Sequence, residues 1–113
     1  MDKINIIGKE SFDEFTINKI EEVLGDIKEK YNRIFNINSL KDFKVVIQAK
    51  PKSGEEHLFE VIVNIDTQYG LFRSEKQGYK ILDIIDQIKN DLERQIIEKK
   101  ERVKAKRKYP DNA

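Results

Sequence analysis

The 113-residue sequence contains no cysteine and a single histidine, His57. Without cysteine the chain has no disulfide and no thiolate chemistry, and it gives no indication of a redox compartment. The lone histidine, beside Glu55 and Glu56, has neither the ligand spacing of a metal site nor the partners of a Ser-His-Asp triad, and no glycine-rich phosphate loop is present. The sequence therefore predicts neither an enzyme nor a bound metal or cofactor.

Long apolar segments are also missing. The opening residues, MDKINIIGKE, lack the apolar stretch of a signal peptide. No run approaches the ~20 apolar residues of a transmembrane helix. We therefore expect a soluble, cytoplasmic protein with no membrane partner and no small-molecule substrate.

Charge is abundant and unevenly distributed. Charged residues make up 38% of the chain, against ~25% in an average protein, and the length predicts one domain. Residues 1–98 hold 15 basic and 19 acidic side chains, net −4, whereas residues 99–113 hold seven basic and two acidic ones, net +5. Such asymmetry points to an anionic partner of the carboxy-terminal end.

The first half of the chain shows a strand followed by a helix. Ile4 and Ile6 alternate with polar residues before Gly8, which predicts a short strand and a turn. Apolar residues then recur every three or four positions over residues 17–34, which indicates an amphipathic helix, and Thr16 is its predicted N-cap.

Three alternating segments predict three further strands, over residues 43–49, 57–66 and 71–75. A hairpin connection is predicted at 52–56, where Gly54 supplies unusual backbone angles. The last element is a helix from about residue 80 to 107. Lys99 interrupts its apolar stripe and about two turns should extend beyond the core. That stripe comprises Ile81, Ile85, Ile88, Leu92 and Ile96.

The order β-α-β-β-β-α predicts an α+β fold, a two-layer sandwich. Its four-stranded mixed sheet carries two helices on one face, with the first two strands parallel and the rest an antiparallel meander. We expect residues 1–98 to form the domain and residues 99–113 a basic extension or tail.

The sequence resembles the ribosome hibernation promoting factors, also called the protein Y family. The shared features are a short opening strand, an Ile-Asp pair and a Leu-x-Arg-Gln motif on the last helix, and basic residues after it. They correspond here to Ile4, Ile6, Gly8, Ile85, Asp86, Leu92, Arg94, Gln95, Lys99, Lys100, Arg102 and Lys104. The resemblance covers essentially the whole chain, in the short form that lacks a carboxy-terminal dimerisation domain.

The resemblance implies a function without chemistry. Members of this family bind the decoding region of the small ribosomal subunit and its rRNA, across the path of messenger and transfer RNA, which blocks translation and protects idle ribosomes. We expect the chain to act in the same way, in a stress response, and to be monomeric off the ribosome. The expected RNA-binding residues are Arg94, Lys99, Lys100, Arg102, Lys104, Lys106, Arg107 and Lys108.

Other interpretations of the basic end remain open. It could be a solvated helix end whose cations complement the helix dipole, and Glu98 could pair with Arg102 four residues later. Arg94 could solvate the helix while Gln95 borders the core. Tyr69, Phe72 and Tyr79 could offer stacking surfaces for unpaired bases. Their spacing suits core and rim packing equally well, and packing is the preferred interpretation. Two other functions also fit: a module that docks an acidic protein, and a general double-stranded RNA-binding domain.

Overall fold

The computed structural model describes residues 4–35, 40–51 and 57–108 of the chain. The described residues form, in chain order, β1 (Asn5–Ile7), a 3-10 turn (Lys9–Ser11), α1 (Glu14–Ile34), β2 (Leu40–Pro51), β3 (His57–Thr67), β4 (Gly70–Gly78) and α2 (Ile81–Lys108). The predicted order β-α-β-β-β-α is therefore confirmed. The hairpin connection predicted at 52–56 lies outside the described residues.

The strands form one mixed sheet in the order β1-β2-β3-β4. β1 runs parallel to β2, with Ile6 opposite Val45, and the remaining pairs are antiparallel, with Val45 opposite Val63 and Val63 opposite Ser74. Parallel strands need a long crossover connection between them, usually a helix, and α1 forms the crossover from β1 to β2.

One face of this sheet and the inner faces of both helices enclose the core. Residues two apart on a strand share a face, and the buried residues of each strand keep that spacing. The buried apolar side chains are Phe43, Val45, Ile47, Val61, Val63, Ile65 and Phe72 from the sheet, Ile20, Leu24, Ile27 and Tyr31 from α1, and Ile84, Ile85, Ile88, Leu92 and Ile96 from α2. Four of the five predicted stripe positions on α2 are therefore buried, and Ile81 is half-buried.

α1 begins one turn earlier than Thr16, and the predicted N-cap is wrong. Asp13 is the N-cap, and its carboxylate accepts a hydrogen bond from the backbone N–H of Thr16 at 2.8 Å. The extended backbone of Asp13 lets this short side chain reach the amide three residues on, which is the usual capping geometry. Its negative charge also suits the positive end of the helix dipole.

The two helices run in the same direction along the sheet. At one end, Phe12, just before α1, packs on Phe59, and a Cβ on Gly78 would touch Ile84 of α2. At the other end, Phe35, just after α1, stacks on Tyr69 next to the β3–β4 turn. Both helix carboxy termini therefore lie at the end of the sheet where β3 turns into β4.

α2 extends beyond α1 at that end. Lys30 of α1 lies 3.8 Å from Glu93 of α2, and α1 ends four residues later, whereas α2 continues to Lys108. The eleven residues after position 97 span roughly 16 Å at ~1.5 Å per residue. The molecule is correspondingly elongated, measuring 63 × 27 × 15 Å, with a radius of gyration of 16.2 Å against ~13 Å for a compact chain of about 100 residues.

Candidate nucleic-acid interface

The basic end of the molecule is built on the last turns of α2. The helix is continuous from Ile81 to Lys108, so the predicted boundary at residue 98 falls within it. Lys100 and Arg102 are exposed and Lys99 is half-buried. Within the part of the chain that the structure describes, none of these three side chains forms a salt bridge.

Lys99 lies over the β3–β4 turn. Its Nζ is 4.0 Å from the point where a Cβ on Gly70 would stand. Lys99 and Arg102 also line a cleft of about 170 Å³ that the turn and α2 form together. The interruption of the apolar stripe at Lys99 thus marks the place where α2 leaves the core and passes the turn.

Arg94 is placed differently from the cations that follow it. Its guanidinium donates a short hydrogen bond to Asp91 and lies 3.3 Å from the carboxylate of Glu98. The hydrogen bond from Arg94 to Asp91 and the charge of Glu98 raise the pKa of Arg94 above its ordinary value. Glu98 is therefore engaged by Arg94, and within the described residues it forms no salt bridge with Arg102, the alternative that the sequence left open.

Asp91 joins α2 to the edge strand. Its side chain is 18% exposed, and it accepts a hydrogen bond of 2.7 Å from the Ser74 hydroxyl on β4. Burial raises the pKa of Asp91, but the hydrogen bonds from Ser74, Arg94 and Gln95 outweigh burial and hold the pKa below its ordinary value. The carboxylate is thus stabilised in its charged form.

Gln95 binds the outer edge of β4. Its Nε2 donates to the backbone carbonyl of Arg73 at 2.8 Å, and its Oε1 accepts from the Arg73 N–H at 3.3 Å. The sequence placed Gln95 at the border of the core and gave no sign of this contact. The two residues are 22 positions apart, and no local pattern reveals such a pair.

The remaining predicted RNA-binding residues are Lys104, Lys106, Arg107 and Lys108. The helix backbone continues through them, but their side chains lie outside the described part of the structure, as do residues 109–113. Their role therefore stays a prediction, and so does that of Arg94, Lys99, Lys100 and Arg102.

Of the other candidate residues that the structure describes, Tyr69 and Phe72 line the cleft beside Lys99, whereas His57 and Tyr79 do not. His57 stacks on Phe59, with ring centroids 6.3 Å apart. Phe72 is 5% exposed and belongs to the core, whereas Tyr79 is exposed. In residues 4–35, 40–51 and 57–108, no cluster of His, Asp and Glu side chains has an arrangement that could hold a metal ion. Glu55 and Glu56 lie outside the described residues.

The geometry defines a class of protein: a small α+β domain with a projecting basic helix end. A comparison with known protein families matches residues 3–113 to the family described as hibernation factor Hib, C-terminal domain. The chain belongs to this family. A search of curated proteins gave no significant match.

Family membership confirms the resemblance to hibernation factors. It gives the chain a ribosome-associated role in hibernation and translation regulation, in a family of non-enzymatic factors. The matched domain is described as carboxy-terminal, whereas the resemblance implied a short form that lacks the carboxy-terminal dimerisation domain. That form stays a prediction. None of the described helices is both long enough and apolar enough to cross a membrane.

Proposed function

We propose that this chain binds rRNA in the decoding region of the small ribosomal subunit through the basic end of α2, and thereby inhibits translation and protects idle ribosomes. The observation that carries the proposal is the group of cations Lys99, Lys100 and Arg102 at the end of a helix that projects from an otherwise acidic domain. Residues 1–98, with a net charge of −4, offer RNA little attraction.

Phosphate binding is the simplest use of such an end. Lysine and arginine that neutralise phosphates release condensed counterions, and this term supplies most sequence-independent affinity for nucleic acid. Arginine also matches phosphate geometry with paired donors. Both helix carboxy termini lie at this end, so the cations complement the helix dipoles as well. The dipoles alone do not require the seven basic residues found after position 98.

The proposed action is occupancy of a channel, with no bond made or broken. An elongated, 15 Å thick molecule with a charged end suits insertion into a passage lined with phosphates. We further propose that the chain works in the cytoplasm during stress, needs no cofactor and is monomeric when free. Enzymatic activity is not part of the proposal.

Co-sedimentation with purified small ribosomal subunits over a salt series tests this function. We compare the wild type with a variant in which Lys99, Lys100, Lys104 and Lys106 are changed to Gln. A matched control carries the same change at four exposed lysines elsewhere, Lys9, Lys19, Lys44 and Lys80. We expect the first variant to lose affinity and about three units of the slope of log K against log salt, at ~0.7–0.9 per phosphate. The control should keep most of both.

The other outcomes separate the rival functions. If the two lysine variants sediment equally with small subunits, the basic end of α2 is only a solvated helix end and does not bind phosphate. If the wild type binds a plain RNA duplex as tightly as it binds small subunits, a general double-stranded RNA-binding domain is favoured. Failure of the wild type to bind subunits or duplex at any salt would favour the docking of an acidic protein.

A further inference from the structure

The outer edge of β4 is held by Gln95 at one residue and continues beyond it. Gln95 bonds both the N–H and the C=O of Arg73, so both groups point away from β3. In an antiparallel strand the backbone groups of every second residue point to the same side. The β3–β4 register is continuous from Gly70 to Gly78. The backbone groups of Glu75 and Gln77 therefore also point outward.

These outward groups are open. Among the described residues β4 pairs with β3 alone, and no helix side chain or turn bonds the N–H or C=O of Glu75 or Gln77. Donors and acceptors thus alternate over ~7 Å of strand. An extended backbone satisfies this pattern, because a peptide can add a strand to an exposed sheet edge through main-chain hydrogen bonds.

The side chains beside the open stretch include two carboxylates. Glu75 is 42% exposed on the sheet face away from the helices, and Glu60 of β3 lies opposite Gln77 on the same face. Both line an open cleft of about 300 Å³. Arg73 lies 3.2 Å from Glu75 and Lys50 lies 3.5 Å from Glu60. A carboxylate has acceptor sites for more than one donor, so both can still receive a cation.

A second copy of the chain does not fit this edge. Two β4 edges centred on residue 76 would place Lys76 opposite Lys76, and centring on residue 75 would place Glu75 opposite Glu75. Like charges directly opposite each other destabilise a strand pair. The edge therefore suits a segment of another protein, and the stretch 75–78 accepts about four residues of it.

We infer that residues 75–78 of β4 bind an extended, basic segment of a partner protein as a fifth strand. The backbone groups of Glu75 and Gln77 bond the segment, and its lysine or arginine side chains lie beside Glu75 and Glu60. Residues 1–98 carry a net charge of −4, which also favours a basic partner. Gln95 ends the paired stretch, because it already occupies Arg73. The inference goes beyond the proposed function and does not depend on RNA binding.

A nuclear magnetic resonance titration of the isotope-labelled full chain tests the inference. The probe is the acetylated and amidated heptapeptide Lys-Val-Lys-Val-Lys-Val-Lys. We expect the amide signals of Glu75 and Gln77 to shift strongly and that of Lys76 to shift weakly, since the Lys76 N–H points to β3. A control peptide with the same side chains and N-methylated internal amides keeps the charge but cannot donate. It should bind at least about tenfold more weakly.

Gln77→Pro and Gln77→Thr form a matched pair of variants. Both remove the glutamine side chain, but only proline also removes the outward N–H. Proline is tolerated on an edge strand where that N–H would face solvent, so both variants should fold, and urea unfolding checks this. We expect Gln77→Pro to weaken peptide binding at least about tenfold and Gln77→Thr by less than about threefold.

Several results would overturn the inference. Equal binding by the two variants, or equal binding of the N-methylated peptide, would mean that charge alone holds the peptide. Equal binding of the corresponding Glu-Val heptapeptide would rule out a basic partner, and no shift at millimolar Lys-Val peptide would rule out the edge as a site.

A last comparison separates this edge from the basic end of α2. The variant with Lys99, Lys100, Lys104 and Lys106 changed to Gln should bind the Lys-Val peptide as wild type does, whether or not it sediments with small subunits. If that variant loses peptide binding, the edge is not an independent site and the inference is wrong. If it binds the peptide while wild type fails to sediment with subunits, the edge stands and the proposed function is wrong.

Discussion

Asp91 is a carboxylate at the margin of the core that has hydrogen-bond partners on both the sheet and α2. It accepts from Ser74 across the helix–sheet boundary and from Arg94 on its own helix. A buried hydroxyl or carboxylate without such a partner would destabilise the fold. The pairing therefore satisfies two polar groups at the margin of the core, and it also fixes the side chain of Arg94.

The lowered pKa of Asp91 makes stability depend on pH in a defined sense. A carboxyl whose folded pKa lies below its unfolded value of ~3.9 contributes fully above that value. Its contribution is lost as the pH falls through the folded pKa. We expect Asp91→Asn to lower the free energy of unfolding by about 1 kcal/mol at pH 7, and we expect the difference from wild type to shrink at pH 2.5.

Urea unfolding at the two pH values measures this effect. Asp86→Asn is the matched control, because Asp86 is an exposed aspartate on the same helix. Its effect should stay within about 0.5 kcal/mol. A gap between Asp91→Asn and wild type that is the same at pH 7 and pH 2.5 would show that the charged form of Asp91 contributes nothing.

At the scale of elements, α2 is attached to the edge of the sheet as well as to its face. Among the described strands β4 lies at the edge of the sheet, so some of its N–H and C=O groups have no strand partner, and Gln95 satisfies both groups of Arg73. Edge groups left open are a template for unwanted pairing with other chains. Gln95 thus covers part of this edge and sets the position from which the basic end projects.

We expect Gln95→Ala to speed hydrogen exchange at the Arg73 amide, since that amide loses its acceptor. The free energy of unfolding should fall by about 1 kcal/mol for the lost hydrogen bonds. Gln87→Ala, at an exposed position on the same helix, should change neither quantity. An Arg73 amide that exchanges at the wild-type rate in Gln95→Ala would contradict the contact.

Two glycines should respond in opposite ways to the same substitution. Gly8 follows β1 and has φ +95°, and a Cβ there would stand 2.1 Å from the carbonyl oxygen of Ile47. Gly25 lies within α1, and a Cβ there would meet no atom within 4 Å.

We therefore expect Gly8→Ala to destabilise the fold by more than about 2 kcal/mol and Gly25→Ala to stabilise it by ~0.5–1 kcal/mol. Urea unfolding of both variants provides the measurement. A Gly8→Ala variant as stable as wild type would contradict the positive φ of Gly8 and its close approach to the Ile47 carbonyl.

At the scale of the whole molecule, the fold was predictable because its core follows simple periods. Spacing of three and four placed Ile85, Ile88, Leu92 and Ile96 on one helix face, and all four are buried. Ile84 was missed because α2 contacts both β4 and α1, so its buried surface is wider than a single stripe. The start of α1 was harder to predict, because Asp13 and Thr16 are both common N-cap residues. Only the extended backbone of Asp13 identifies it as the cap.

The candidate site was predictable in part. The charge run after residue 98 is visible in the sequence, and so is the break in the apolar stripe at Lys99. The partners of Arg94 at Asp91 and Glu98 have helical spacing, and sequence reasoning could have found them. The cleft beside Gly70 and the Gln95–Arg73 contact depend on how α2 crosses the turn and the edge strand, which no local pattern encodes.

The separation of charge along the molecule has a consequence for how it meets a polyanion. With −4 on residues 1–98 and +5 on residues 99–113, the net charge of +1 hides a large permanent dipole along the 63 Å axis. The field of a polyanion exerts a torque on such a dipole, turning its positive tip forward before contact and repelling the body. The molecule therefore meets the polyanion mostly with its basic end first. The association rate should fall with ionic strength far more steeply than the rate for a particle with a uniformly distributed charge of +1.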